Sequence, residues 1–363
     1  MALFVGAISG TSVDGLDLAL IDISDSDISL IASATHDLPS DLKATLMALG
    51  QAQGDDLDRL GHADTALGVF IGKSINDFLV AQNVACADIH AIGSHGQTVR
   101  HRPTGSDPFT AQIGDPNHIA EATRITTVAD FRRRDMAAGG QAAPLVPLFH
   151  QAILGDISES RVVLNIGGIS NITLLRPGRP VSGFDTGPGN AMLDAWAAEH
   201  LGKPYDAGGA WSANGAVVPA LLHACSADPY LKHPPPKSTG KEHYNLAWLN
   251  RQLPEATQPA DVQRTLVEFT TQSITDALGR WAPECDRLLV CGGGRHNTFL
   301  MDRLNDLVGL PLETTDAFGW DGDAIEAAAF AWLAHRRLEH LAGNAPDVTG
   351  AQGERVLGGV YLG

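Results

Sequence analysis

Apolar residues run along the chain in short blocks separated by Gly-, Asp- and Asn-containing turns, and these blocks alternate with longer amphipathic stretches. Residues 3–9 form the first apolar run. It breaks at Gly10-Thr11-Ser12-Val13-Asp14-Gly15 and resumes over 16–23, the pattern of a β-hairpin. A third strand is expected over 28–34. Residues 42–52 and 57–82 read as helices, the second with apolar positions near three- and four-residue spacing. Residues 89–92 predict a buried strand that delivers Ser94-His95-Gly96-Gln97-Thr98, and 125–128 another that delivers Ala129-Asp130-Phe131-Arg132. Strands alternating with helices argue for an α/β class.

The pattern then starts again. Residues 161–166 predict a strand rich in β-branched positions, broken at Gly167-Gly168-Ile169-Ser170-Asn171 and resumed over 172–175. This second strand–turn–strand echoes the first and suggests two related domains. A helix is expected over 188–201 and a Gly-rich segment over 204–215. Residues 232–240 contain Pro234-Pro235-Pro236 and read as a loop or flap. Helices follow over 262–281, 297–307 and 324–341. A buried strand over 287–291 ends in Gly292-Gly293-Gly294.

Composition narrows the classes. The chain has 363 residues, 44% of them apolar, which suits about two domains and excludes disorder. Lys and Arg number 25 against 42 Asp and Glu, a net charge of −17. Nucleic acid and anionic membrane are thereby disfavoured as partners, since phosphate backbones want a basic stripe. A small anionic substrate held by a few local donors remains compatible. Cys86, Cys225, Cys285 and Cys291 form no Cys-x-x-Cys pair and are expected as buried free thiols. The first residues lack a basic leader, and the apolar run at 327–334 falls far short of the ~20 residues that span a bilayer. A cytoplasmic protein is expected.

Three Gly-rich turns, at Gly10, Gly167 and Gly292, each follow a predicted strand. Glycine lets backbone N–H groups approach phosphate oxygens closely, and Thr11, Ser12 and Asn171 add side-chain donors. Neither a P-loop nor a dinucleotide fingerprint occurs. A nucleotide would therefore be cradled between two hairpins and not at one helix N-terminus. Asp185 precedes Gly187-Pro188-Gly189 and is placed by the pattern beside a helix N-terminus. Held there it can act as a general base toward a hydroxyl or water; the alternative is that Asp185 or Thr186 caps the helix. Gln97 and Thr98 are candidate hydrogen-bonders to a polar substrate, whereas His95 reads as a structural histidine. Arg132 suits a substrate carboxylate. Glu326 lies one turn in from Asp323 and could face a ligand; the alternative for these acids is a favourable helix N-terminus. Trp211, Trp248, Trp320 and Trp332 are expected to pack and not to stack on ligand.

Together, Gly10-Thr11-Ser12-Val13-Asp14-Gly15-Leu16-Asp17, Ser94-His95-Gly96-Gln97-Thr98, Asn165 to Asn171 and Phe184 to Asn190 resemble the anhydro-N-acetylmuramic acid kinase family. Lys237-Ser238-Thr239-Gly240-Lys241-Glu242, Cys291 to Asn297 and Asp321 to Ala327 carry the same resemblance, which covers essentially the whole chain. One departure is Ala142, where the family pattern has Gly; it is expected to touch no catalytic group.

The resemblance implies an α/β fold of two actin/hexokinase-like (ribonuclease H-like) domains flanking a cleft that closes on substrate. The division expected is 1–125 with a C-terminal helix at about 335–363, and 126–334. The resemblance further implies ATP with Mg²⁺ as cofactors, the metal ligands unassigned, a homodimer, and 1,6-anhydro-N-acetylmuramic acid as substrate. In that sugar O6 is bonded to C1, so water must attack C1 while O6 takes the γ-phosphoryl group. The roles implied are Asp185 as the base for that water, and residues Gly10 to Asp17 (Gly10, Thr11, Ser12, Val13, Asp14, Gly15, Leu16, Asp17) with Asn165, Gly167, Gly168 and Asn171 around the phosphates. Gly292, Gly293, Gly294 and Asn297 fall to the adenosine, and Gln97, Thr98, Arg132 and Glu326 to the sugar. The rival expectations are an ordinary amino-sugar kinase and a catalytically silent sensor that binds both ligands.

Overall fold

The first apolar runs form the expected hairpin: β1 (Ala2–Ser9) pairs antiparallel with β2 (Leu16–Ile23), with Ile8 opposite Asp17. The computed structural model describes residues 2–10, 13–24, 27–51 and 57–363. Strand β3 (Ile28–His36) adds to β2, and helices α1 (Ser40–Gly50) and α2 (Leu57–Ala81) follow. Leu67, Ile71, Ile75 and Phe78 recur at helical spacing on α2 and are fully buried with Val5, Ala7, Leu18 and Leu20 of the hairpin. Next come β4 (Ile89–Arg102), β5 (Phe109–Ile113), α3 (Pro116–Thr123), β6 (Thr127–Ala129), α4 (Phe131–Ala137) and α5 (Pro147–Leu154).

A second antiparallel meander opens with β7 (Arg161–Ile166), β8 (Ile169–Leu175) and β9 (Ser182–Pro188). Helices α6 (Asn190–Leu201), α7 (Pro219–Ser226), α8 (Leu246–Asn250) and α9 (Pro259–Trp281) cover it. Then β10 (Arg287–Cys291) pairs parallel with β7, and α10 (Thr298–Val308) leads to β11 (Leu312–Thr314), parallel to β10. The chain closes with α11 (Ile325–Leu338), α12 (Pro346–Thr349) and β12 (Gly359–Tyr361).

The chain forms two units, Met1–Ile153 with Gly319–Gly363, and Leu154–Phe318. The first sheet has the order β12-β6-β4-β1-β2-β3, with β5 on β4; the second has β11-β10-β7-β8-β9. In both, a three-stranded antiparallel meander is extended from its first strand by parallel strands that arrive through helical crossovers. The echo in the sequence is thus one topology used twice, the ribonuclease H-like arrangement that the resemblance implies.

Three expectations are corrected. Residues 126–153 and 319–334 lie in the first unit and not the second, because β6 pairs parallel with β4, and α11 packs on β1, β2 and β4. Strand β4 continues to Arg102, so Ser94 to Thr98 sit inside a strand and not after it. Residues 182–188 form a strand, so Asp185 lies on β9, with α6 beginning only at Asn190. Cys225, Cys285 and Cys291 are buried and Cys86 is half-buried, none of them in a disulfide. Trp248, Trp320 and Trp332 are buried and Trp211 packs against the second core, as expected. No helix among the described residues is long and apolar enough to cross a membrane.

The second unit also holds a buried carboxylate. Glu268 of α9 accepts Nε and Nη2 of Arg303, at 2.8 and 2.9 Å, together with Arg264 Nη1 and Gln272 Nε2. These donors, Arg303 foremost, hold its carboxyl down at about 2. A depressed carboxyl stabilises the fold above its ordinary value near 4.5 and loses that contribution as pH falls toward 2. Glu268→Gln is expected to cost about 1–3 kcal/mol at pH 7 by removing the carboxylate shared by Arg264 and Arg303, which leaves Arg303 its contact with Asp306 at 3.5 Å. Urea titrations at pH 7 and pH 3 check this, and the gap between variant and wild type should narrow at the lower pH.

Candidate active site

In the second sheet, register brings together residues far apart in sequence. Asn165 on β7 stands opposite Asn171 on β8, and Asn171 stands opposite Asp185 on β9. Directly paired antiparallel residues project to the same face. The three half-buried polar side chains therefore form one row, with Cys291 of β10 beside Asn165. Val162, Leu164, Ile166, Ile172 and Phe184, on the alternate positions, face the core with α6 and α9.

Both glycine turns of this unit follow the C-terminal ends of adjacent parallel strands, β7 and β10, the edge where open α/β sheets bind ligands. Gly292 has φ of +80°, and a β-carbon there would overlap Oδ1 of Asn165; one on Gly294 would overlap Ile166. By contrast a β-carbon on Gly293 would meet nothing within 4 Å, so it has open space before it, and one on Gly167 would make only ordinary contacts, at 3.5 Å and beyond. The carbonyls of Gly167 and Gly168 accept the N–H groups of Asn190, Gly189 and Ala191, at 2.8, 3.1 and 3.0 Å, which fixes the turn on the start of α6. Asn297 is committed otherwise: its side chain caps α10 by accepting from Leu300 N.

Asp185 caps nothing. Gly189 is the N-cap of α6 and Thr186 donates to Ser170 O, which sets the capping alternative aside. One oxygen of Asp185 accepts Ser238 Oγ at 2.8 Å and Thr239 N at 2.9 Å, and Tyr230 donates to its carbonyl. Burial raises its carboxyl above the usual carboxylate range, against the pull of these two donors and of Lys237. The Pro-rich segment is thus a loop that closes over Asp185. It is anchored by Lys237 Nζ, which donates to Tyr230 O and Leu231 O and lies 4.6 Å from the Tyr230 ring. Lys241 lies over the Gly167 turn: a β-carbon on Gly168 would sit 2.6 Å from its Cε and 3.5 Å from its Nζ. Ser238, Thr239 and Lys241 belong to a motif that marks the family resemblance, but composition and spacing gave none of them a role.

In the first unit, Thr11 and Ser12 lie outside the described residues. Gly10 O accepts Val13 N, and Val13 (φ +55°), Gly15 and Leu16 are largely buried, Gly15 against Thr35. Asp17 accepts Thr35 Oγ1 at 2.7 Å, and its carboxyl is raised first by burial and further by Asp14, Asp323 and Asp321. Among the described residues no group of three or more His, Cys, Asp and Glu is close enough to hold a metal ion. The cluster suits a hydrated cation better than a protein cage, which is how Mg²⁺ usually binds.

Gln97 pairs with Ser9 across β1 and β4, and both Gln97 Oε1 and Ser9 Oγ are buried without a hydrogen-bond partner among the described residues. Such atoms are costly unless a ligand or water meets them. Thr98 Oγ1 accepts from Gln112. Arg132 donates from Nε to His95 Nε2 at 2.8 Å and from Nη1 to Ala142 O at 2.6 Å. Burial lowers its pKa to about 10, opposed by Glu326 and Asp135. Glu326 itself is exposed on the first turn of α11. Ala142, where a glycine was expected, has φ of +59° and meets a substrate-side candidate through its carbonyl. A cavity of about 240 Å³ in this unit is lined by Ser94 and His95 but by none of Gln97, Thr98, Arg132 and Glu326.

A profile of the anhydro-N-acetylmuramic acid kinase family matches residues 2–363. Among solved structures, a ROK family glucokinase from Streptomyces griseus in complex with glucose and AMPPNP is similar, with 11% identity over 92% of this chain and 100% of that one and a TM-score of 0.41. The activator of a 2-hydroxyisocaproyl-CoA dehydratase from Clostridium difficile with bound ADPNP is similar at 12% identity over 92% of this chain and 97% of that one, with a TM-score of 0.43.

The Asp185 environment yields a direct test. Ser238→Ala removes a donor to the ionised form and is expected to raise the Asp185 titration midpoint further. Carbon-detected NMR titration of the carboxyl in both proteins reads it; an unchanged midpoint would show that Ser238 does not hold the carboxylate.

Proposed function

Since the chain belongs to the anhydro-N-acetylmuramic acid kinase family and is therefore a phosphotransferase, we propose that it uses ATP to open and phosphorylate 1,6-anhydro-N-acetylmuramic acid, giving N-acetylmuramic acid 6-phosphate and ADP. The observation that carries this reading is Asp185: a carboxylate raised by burial, in one row with Asn165 and Asn171, on a sheet whose adjacent strands end in two glycine turns.

In this reading Asp185 takes a proton from water as the water oxygen attacks C1. The C1–O6 bond breaks, O6 attacks the γ-phosphorus, and ADP leaves. An inverting glycosidase uses a carboxylic acid to protonate its leaving oxygen; here phosphoryl transfer to O6 replaces that acid. Ser238 and the Thr239 N–H aim the carboxylate. The backbone at Gly167 and the Lys241 ammonium beside Gly168 suit the phosphates, and phosphoryl transfer depends mainly on such positioning and charge. The Asn165 and Asn171 side chains join that phosphate site, Gly292 to Gly294 are assigned to the adenosine, and in the first unit Gly10 to Asp17 are assigned to phosphate. Mg²⁺ would be held by Asp17 and Asp14 together with the phosphates and would neutralise charge on them. Gln97, Thr98, Arg132 and Glu326 serve the sugar, with Arg132 on its lactyl carboxylate.

Turnover of MgATP with the anhydro sugar in ¹⁸O-labelled water is expected to place label at C1 and none in the phosphate. Turnover only with ring-opened or unmodified amino sugars would instead identify an ordinary sugar kinase. Binding of both ligands without turnover would identify a sensor.

Asp185→Asn is expected to lower kcat by about 10²–10⁴-fold, the usual contribution of a general base. In wild type the base form is the active one, so kcat should rise with pH through the raised Asp185 midpoint, and Ser238→Ala should move that acid limb upward. Arg132→Ala is expected to raise KM for the sugar by about 10-fold or more while changing kcat less, since it removes a charge-assisted contact made before the reaction. Steady-state kinetics over pH 4–9 checks both variants.

A further inference from the structure

The most deliberate piece of backbone in the first unit presents His95. Along β1 and β4 the register runs Ala7 with Ser94 and then Ile8 with Gly96, so His95 is the extra residue of a β-bulge. Bulges re-aim a side chain and concentrate beside functional sites. This one depends on Gly96, which has φ of +68° and whose β-carbon would overlap the Ile113 carbonyl. The imidazole it presents is 6% exposed and packs on the Phe330 ring, 4.6 Å between centroids.

The partners of that ring fix its tautomer. A carbonyl only accepts, so Nδ1, 3.0 Å from Gly96 O, carries the hydrogen. A guanidinium only donates, so Nε2 accepts from Arg132 Nε at 2.8 Å. Burial, and then Arg132 itself, hold His95 well below the usual imidazole range, so it stays neutral. A carboxylate in its place would hold Arg132 as firmly but would neutralise it. Neutral imidazole on Nε and a carbonyl on Nη1 orient the guanidinium without pairing its charge, on which Glu326 and Asp135 act electrostatically, and Nη2 takes no hydrogen bond among the described residues.

We propose that His95 is a positioning residue, a neutral acceptor delivered by a β-bulge to hold Arg132 so that its charge and its Nη2 edge meet the carboxylate of the substrate. This rests on the assignment of Arg132 to the sugar made above. His95 touches no reacting atom, so its effect belongs in binding of a carboxylate-bearing sugar and passes through Arg132.

The test is a double-mutant cycle read in sugar kinetics. His95→Leu is expected to raise KM for the anhydro sugar by about 10-fold or more, with kcat and the KM for MgATP little changed. His95→Gln, which keeps an acceptor, should retain most of the wild-type KM. In an Arg132→Ala background His95→Leu should add nothing; an equal fold-change in both backgrounds would overturn the proposal. A second readout needs no turnover: the Arg132 Nε–H NMR resonance, assigned by its loss in Arg132→Lys, should move in His95→Leu and stay in His95→Gln. If wild type fails to turn over the anhydro sugar, the proposed function falls, and this resonance alone decides the role of His95. If His95→Leu does not fold, a folded His95→Gln that loses sugar affinity as Arg132→Ala does would overturn it.

Discussion

Helix α11 lies with its backbone directly on the sheet of the first unit, and the site residues of that unit depend on this approach. A β-carbon on Gly6 of β1 would overlap the Ala327 carbonyl, and one on Gly93 of β4 would overlap that of Phe330. The helix answers with small residues: Ala327, Ala328, Ala331 and Ala334 are fully buried. Interiors pack at crystal density, so an added methyl here must displace the helix and not merely crowd it. The same helix carries Glu326 in its first turn and Phe330 against His95. Two glycines in the strands therefore set the distance at which Phe330 of α11 meets His95 of β4.

The second unit solves the same positioning problem with hydrogen bonds. The Gly167–Gly168 turn is pinned because its carbonyls take up the first N–H groups of α6. The N–H groups of Gly189, Asn190 and Ala191 are thus taken up within the protein, so in the proposed function the phosphates fall to turn backbone and Lys241. The loop over Asp185 is tied in turn. Thr239 contacts His243 Nδ1 at 3.4 Å, and His243 Nε2 lies 2.8 Å from Asp228. A polar chain thus runs from Asp185 into the core, which holds the carboxylate more tightly than a single loop contact.

Much of this was legible in the chain. The bounds of β2, β7 and β10 coincide with apolar runs that end abruptly in Gly or polar residues, and α2 follows its helical stripe to within one residue. Asn171, Asp185 and Arg132 stood out as candidates from their neighbours in the sequence and Asn165 from a family motif, and spacing alone marked three turns after strands. What escaped was set by register and by distant partners. The polar run Ser94 to Thr98 hid the length of β4, because the bulge at His95 breaks the alternation by which strands are recognised. The glycines and proline around Asp185 read as a turn, although their backbone is a strand paired to β8. The unit boundary was displaced because β6 and α11 join the first sheet by contacts that no local pattern announces. His95 is buried with both ring nitrogens partnered, as a structural histidine should be, but its partner Arg132 lies 37 residues away and no local pattern announces it.

Asp185 in the second unit and Arg132 in the first are desolvated ions without a direct ion pair among the described residues. Asp185 is kept ionisable by a hydroxyl and a backbone N–H, with Lys237 acting only through its field. Arg132 is kept by an imidazole and a carbonyl. The nearby Asp135 is occupied by Ala142 N, Asn344 and Thr349 and forms no bond to it. A fold selected for stability alone would gain by neutralising such charges or replacing them with apolar groups, since buried ions rarely repay their desolvation. Neutral partners that orient an ion and leave its charge uncancelled make sense when the counter-charge arrives with a ligand. For Arg132 that is an anion. For Asp185, in the proposed reaction, it is a proton taken from water, and the burial that raises its carboxyl makes it the stronger base.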